Sequence, residues 1–202
     1  MENYPSIATT VSKTPIIAFD KLDGSNIRTE WSRKTGFTKF GTRKRLLDPN
    51  EDVLGEAVEL FQTSYADDLE RIFRKQRLEK ATAFLEFAGV NSFAGQHENE
   101  PHELVLFDVH VYKKGLLPPK EFLKLFGELR TPEILYEGIA NAPFVESVRE
   151  SQLDGMTFEG VVCKGALDSR RRPTMFKLKS QAWLDAVKAR YGHDEKVLQE
   201  LI

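Results

Sequence analysis

Apolar positions along this chain change period several times, and each change marks an element. Ile16-Ile17-Ala18-Phe19 is a short continuous apolar run, the pattern of a buried strand. Asn26 to Trp31 alternates instead. Ile27, Thr29 and Trp31 fall on one face, and Asn26, Arg28 and Glu30 on the other. Lys34-Thr35-Gly36 supplies a turn into a further strand over Phe37 to Phe40. From Asp52 to Lys75 the period becomes helical, carried by Val53, Leu54, Ala57, Val58, Leu60 and Phe61. After a break near Ser64 it continues through Tyr65, Leu69, Ile72 and Phe73.

Ala81 to Ala88 and Leu104 to Tyr112 return to strand character across a polar loop from Asn91 to Glu103. Pro118-Pro119 starts a helix through Phe126, and Val145 to Gln152 predicts another. Phe158 to Lys164 and Thr174 to Leu178 read as strands, and two helical segments follow from Gln181. The first dozen residues are polar and rich in Ser and Thr, a loose lead-in. Strands in hairpin-like pairs among helices predict an α+β fold with antiparallel sheets.

Composition narrows the class. A chain of 202 residues fits one domain, residues 1–202, and an apolar fraction of 41% suffices for its core. The formal net charge of -2 gives no global attraction to polyanions, so nucleic-acid binding has to come from local patches. Cys163 is the one cysteine, which excludes a disulfide within the chain and fits a reducing, cytoplasmic setting. No apolar run reaches membrane-spanning length, and Met1-Glu2-Asn3-Tyr4-Pro5 lacks the regions of a signal peptide. No membrane partner is expected.

Candidate chemistry changes the picture more. Lys21-Leu22-Asp23-Gly24 puts a lysine just past the first apolar run, where a strand end aims it inward. An amine attacks near neutral pH only when burial or neighbouring cations make its neutral form accessible. Four later clusters place charges in strand-like surroundings: Phe84-Leu85-Glu86-Phe87, Phe107-Asp108-Val109, Phe158-Glu159-Gly160-Val161-Val162 and Phe176-Lys177-Leu178-Lys179. Isolated buried charges are expensive, so three acids and three lysines on strands predict one shared pocket. A nucleoside triphosphate with Mg2+ needs that mixture: cations for phosphates, acids for metal and sugar, a ring for the base. Leu153-Asp154-Gly155 echoes the first motif but has Gln152 in the lysine's place, so it reads as a turn. The four histidines and Cys163 show no metal-ligand spacing.

The order Lys-x-Asp-Gly, Phe-Leu-Glu-Phe, Phe-Asp, Glu-Gly-Val-Val, Lys-x-Lys resembles motifs I, III, IIIa, IV and V of the covalent nucleotidyltransferases. These include ATP-dependent DNA and RNA ligases and capping enzymes. The resemblance runs from Ile16 to Lys179. With Asn26 after the core motif it is greatest to the nick-sealing phage RNA ligases. It implies two antiparallel sheets flanked by helices, with a nucleotide pocket between them. It implies ATP as co-substrate, Mg2+ or Mn2+, and RNA ends or a nicked duplex as partner. Lys21 would form a lysyl-AMP intermediate, AMP would pass to a 5′-phosphate, and a 3′-hydroxyl would seal the strand.

In this scheme Glu86 meets the ribose, Phe107 stacks on adenine and Asp108 supports the site. Glu159 and Asp23 hold metal through water, Lys177 and Lys179 bind the α-phosphate, and Asn26 and Arg43 contact phosphate or ribose. Lys21 is expected to be a neutral amine, kept so by metal and the two lysines. Arg170, Arg171 and Arg172 form a basic loop for RNA phosphates. No sixth-motif oligonucleotide-binding domain or C-terminal helical domain is expected in the 23 residues after Lys179, so a protein partner could supply the missing grip. DNA ends, GTP, and a binding module without turnover stay open as alternatives.

Overall fold

The computed structural model describes the chain except residues 52, 91, 98, 170, 171 and 202. Among the described residues two antiparallel sheets face each other. One has the order β7-β1-β8-β9, formed by β1 (Pro15–Lys21), β7 (Ile134–Ile139), β8 (Gly160–Leu167) and β9 (Pro173–Lys179). The other has the order β3-β2-β4-β5-β6, from β2 (Gly24–Ser32), β3 (Gly36–Thr42), β4 (Lys80–Ala88), β5 (Glu103–Val111) and β6 (Gly115–Leu116). The chain passes from β1 in one sheet to β2 in the other over Leu22 and Asp23 alone.

The alternation read in β2 decides which face is buried where. Ile27 and Trp31 join Ala81, Ala83, Leu85 and Phe87 of β4 beneath helices α1 (Glu56–Ser64), α2 (Ala66–Lys75) and α3 (Pro119–Phe126). Phe61, Phe73, Phe122 and Phe126 supply the helical side of this core. Each fully buried large apolar side chain contributes roughly 2 kcal/mol. The opposite face of the same strands carries Asn26, Arg28, Glu30, Phe84 and Glu86, with Asn26 directly across from Glu86 and Arg28 from Phe84. In the smaller sheet Ile16, Ala18, Val161, Cys163, Phe176 and Leu178 pack on α4 (Ala142–Arg149). The alternate positions, Phe19, Lys21, Val162, Lys164, Lys177 and Lys179, share the other face. The polar face of one sheet and the lysine-bearing face of the other thus define a cleft.

Three expectations need correction. The first residues are not a loose lead-in: Ala8 forms a bridge to Phe176, and Tyr4 packs on Phe84 and Phe107. Glu159 lies just ahead of β8, not within it. The helix read over Val145 to Gln152 begins three residues earlier, because Asn141 caps it by accepting from the Phe144 amide at 3.0 Å. Asp52, expected to open the first helical stretch, lies outside the described residues, and α1 starts at Glu56. The break near Ser64 is present, with Tyr65 between α1 and α2 at φ -133°. Helices α5 (Gln181–Tyr191) and α6 (Glu195–Leu201) close the fold.

Candidate active site

Lys21 is the last residue of β1, and its ammonium donates to Glu159 Oε2 at 2.7 Å. The other Glu159 oxygen lies 3.1 Å from Lys179 Nζ, so one carboxylate separates two lysines. Glu159 is only 3% exposed and is held from behind. Ser180 donates its amide to the Glu159 carbonyl at 2.9 Å and its hydroxyl to the Phe158 carbonyl at 2.7 Å. The same hydroxyl oxygen caps α5 by accepting from the Trp183 amide at 3.0 Å. Trp183 in turn lies under Lys179, whose ammonium is 3.7 Å from the ring centroid. Lys179 also donates to the carbonyl of Leu201 at the end of α6.

The electrostatics split the lysines. Burial would lower the Lys21 pKa, but Glu159, Glu86 and Asp23 outweigh it and push the amine above its ordinary value. Burial pulls Lys179 down to about 8, helped by Lys21 and Lys177, and Lys177 is likewise lowered by burial and by Lys21. In this arrangement Lys21 is therefore held toward its charged form, whereas the neutral form is expected beside a metal ion. The carboxylate touching it holds its proton, and neutrality requires Glu159 to be engaged elsewhere. Glu86 is pushed up to about 8 by burial, with Lys21 pulling the other way. Asp23 is also raised, by burial first, although its Oδ2 accepts from the Ala94 amide at 2.8 Å.

Phe107 and Asp108 sit further along the cleft at a β-bulge. Phe84 pairs with Asp108, yet Leu85 pairs with Leu106, which leaves Phe107 as the extra residue. A bulge re-aims side chains. Here Leu104 and Leu106 face the core before it, Val109 and Val111 after it, and Asp108 turns into the cleft. Asp108 is 1% exposed and pairs with Lys164 at 2.9 Å from the opposite sheet. Lys164 also donates to the Phe107 carbonyl at 2.7 Å. Its ammonium lies 5.2–5.7 Å from the Phe19, Phe107 and Phe122 rings.

The structure thus gathers Lys21, Asp23, Asn26, Glu86, Glu159, Lys177 and Lys179 at the β1–β2 crossing, and Phe107 and Asp108 deeper in the same cleft. Arg43 is exposed beside the cleft, donating to the Ser6 hydroxyl at 2.9 Å, and is near enough to depress the Lys177 pKa. Arg172 is exposed and paired with Asp168 at 3.1 Å; Arg170 and Arg171 lie outside the described residues. Sequence reasoning missed Lys164, Ser180, Trp183 and Tyr4. For Lys164 a signal existed, since it shares the parity of Val162 along β8. A separate cavity of about 300 Å³ opens by the β1 end, lined by Asp20, Leu22, Asp23, Glu133 and Thr157 among others. Asp20 accepts there from the Thr157 amide and hydroxyl at 3.1 and 2.9 Å. Buried Cys163 has its thiol pushed up to about 12, an inert group.

The donor set suits a hydrated hard cation. Asp23 Oδ1 and Asn26 Oδ1 are buried oxygens without a hydrogen bond among the described residues. No group of three or more His, Cys, Asp or Glu that could hold a metal ion converges among those residues. No helix among the described residues is long and apolar enough to cross a membrane.

Comparison with known proteins adds the lineage. The family model described as RNA ligase matches residues 14–179. A comparison with curated proteins finds no match. Among solved structures, a Naegleria gruberi RNA ligase mutant with ATP and Mn superposes with a TM-score of 0.63 at 16% identity. It covers 86% of this chain and 52% of that one. The Naegleria gruberi RNA ligase with PPi gives 0.65 at 17% identity, covering 88% and 53%. An apo mutant of the same ligase gives 0.65 at 16%, covering 93% and 60%. At these identities the likeness is one of fold, and the chain spans between half and three fifths of those structures.

Proposed function

We propose that this chain, which belongs to the RNA ligase family, acts as an ATP-dependent RNA ligase module whose residues 1–202 form the nucleotidyltransferase domain. The observation that carries the reading is the Lys21–Glu159–Lys179 cluster, in which a strand-end lysine meets an acid and a second lysine from a distant strand. In the first step Lys21 Nζ attacks the α-phosphorus of ATP. The N–P bond forms, the bond to the β-phosphate bridging oxygen breaks, pyrophosphate leaves and the amine gives up its proton. AMP then passes from Lys21 to an RNA 5′-phosphate, and a 3′-hydroxyl displaces it to make the phosphodiester. The inferred substrate is a nicked duplex or paired RNA ends, and a partner protein would extend the grip on it.

Lys177 and Lys179 offset the α-phosphate charge, most of all in the crowded transition state. Phe107 offers its ring to the base, Glu86 meets the ribose, and Asn26 and Arg43 orient phosphate or ribose. Glu159 and Asp23 would hold Mg2+ or Mn2+ through water. A cation held there would supply positive charge to the phosphates, and Glu159 turned toward it would no longer hold the Lys21 proton. Naegleria gruberi RNA ligase complexes with ATP and Mn support that pairing of ligands. Incubation with α-labelled ATP and Mg2+ is expected to label the protein, and Lys21→Ala to abolish the label. A chase with nicked RNA should move label into RNA. An unlabelled wild type, or equal labelling of Lys21→Ala, would end this reading.

A further inference from the structure

The first eight residues lie outside the motif pattern, and the fold threads them between the two sheets. The Met1 amino group pairs with Glu30 at 3.3 Å. Arg28, 7% exposed, donates to the Glu2 carbonyl at 2.8 Å and to the Asn3 side chain. Further along, Arg43 holds Ser6, and the Lys177 amide donates to the Ala8 carbonyl at 2.8 Å. The segment therefore starts on the five-stranded sheet and ends as a parallel bridge on β9, the edge of the other.

Tyr4 stands between these anchors. Its ring meets Phe84 at 5.1 Å and Phe107 at 5.0 Å, inclined by 64° and 90°, the edge-to-face geometry that aromatic pairs favour. Its hydroxyl donates to Asp108 Oδ2 at 2.9 Å. Lys164 donates to the same oxygen from the opposite sheet. Burial and the Asp108 charge hold the phenol protonated, so it stays a donor. Phe107 is the extra residue of a bulge, and such residues lack the full ladder pairing that fixes their neighbours. Its placement depends on what touches it: Lys164 at the carbonyl and over the ring, Phe84 stacked on the ring, and Tyr4 at the ring from a segment outside the sheets.

We propose that Tyr4 is a positioning residue, which fixes Phe107 and Asp108 as the base-binding wall of the cleft and so sets nucleotide affinity. The inference rests on the nucleotide-binding reading given above. A residue at the base end should alter binding of the nucleoside and leave the phosphate end alone.

The test measures AMP and pyrophosphate affinities by calorimetry on the full chain and its variants Tyr4→Ala and Tyr4→Phe. Lys21 labelling by ATP is followed in parallel. Tyr4→Ala is expected to weaken AMP about tenfold while pyrophosphate changes by less than about twofold. Tyr4→Phe, which keeps the ring contacts, should weaken AMP about threefold, and it carries the test if Tyr4→Ala does not fold. Equal loss of both ligands marks a general structural defect and overturns the proposal, as does no change in either. Tighter AMP binding or faster labelling would make Tyr4 an obstruction in the base slot, which also overturns it. A wild type that binds AMP but takes no label contradicts the Lys21 chemistry and leaves the Tyr4 comparison readable. A wild type that binds no AMP overturns both.

Discussion

The Lys21 ammonium rests on the Glu159 carboxylate at 2.7 Å across 138 positions of sequence. Glu159 acts on both Lys21 and Lys179, yet the two lysines that share this carboxylate are driven in opposite directions. Lys21 has three acids acting on it and keeps its proton; Lys179 is buried beside other cations and loses its proton at about 8. On the proposed reading the resting pair would be a locked nucleophile, released when something with more positive charge takes Glu159.

Glu159→Gln removes that lock. Acylation of Lys21 by acetic anhydride at pH 8, with acetate leaving, followed by peptide mass spectrometry, is expected to speed up by about threefold or more. Labelling by ATP should fall by at least about 100-fold, since on the proposed reading the carboxylate that would hold metal is lost. An unchanged acylation rate would show that Glu159 does not set the charge of Lys21.

Glu86 makes stability depend on pH. Its carboxyl ordinarily ionises at 4.5 and in the fold at about 8, so between these values the folded chain keeps a proton that the unfolded chain has released. Its contribution is complete below 4.5 and is lost as pH rises through about 8. Asp20 and Asp23, also raised by burial, act in the same sense. Lys179 works oppositely: lowered from 10.5 to about 8, it adds stability as pH rises between those values. Thermal melts should pass through a minimum near pH 8. Glu86→Gln should flatten the acidic limb and spare the alkaline one; an unaltered profile would refute the assignment.

Lys164→Met leaves Asp108 buried with a charge that, among the described residues, the Tyr4 hydroxyl and the Val109 amide oppose by hydrogen bonding. The expected loss in chemical denaturation is about 3 kcal/mol. The double variant Lys164→Met with Asp108→Leu should regain most of it. If the double variant is no more stable than the single, the pair does not hold the sheets together.

Gly160, the first residue of β8, follows Glu159 directly with φ +138°, and a Cβ there would lie 2.1 Å from the Leu178 carbonyl oxygen. Gly160→Ala should therefore cost about 2 kcal/mol or more, read as a lower melting temperature. Because Gly160 pairs with Lys179, the labelling rate should fall further than at other β8 positions. Native-like melting and labelling would contradict the strain.

Much of this was legible in the sequence where period and chemistry coincided. Ile27 and Trp31 against Asn26 and Arg28 separate core from cleft, and Lys21, Lys177 and Lys179 land where strand parity puts them. The edge strand β7 was missed because Ile134–Ile139 is half exposed, has no alternation and contains Gly138 at φ +154°. The bulge at Phe107 was visible as a parity change from Leu104 and Leu106 to Val109 and Val111, but its consequence depends on which strand lies opposite. Tyr4 was illegible for a different reason. Its partners Phe84, Phe107 and Asp108 are distant in sequence, and a polar leader carries no period to announce them.

The two-residue passage over Leu22 and Asp23 has a mechanical consequence. Two walls joined by so short a link resemble a book whose spine is the link, and Lys21 sits at that spine. Opening the covers moves points in proportion to their distance from it. Lys164, paired across from Ile17, lies four residues up the strand, about 13 Å away. A change in the gap is therefore felt first at Lys164 and Asp108, while Lys21 stays nearly still.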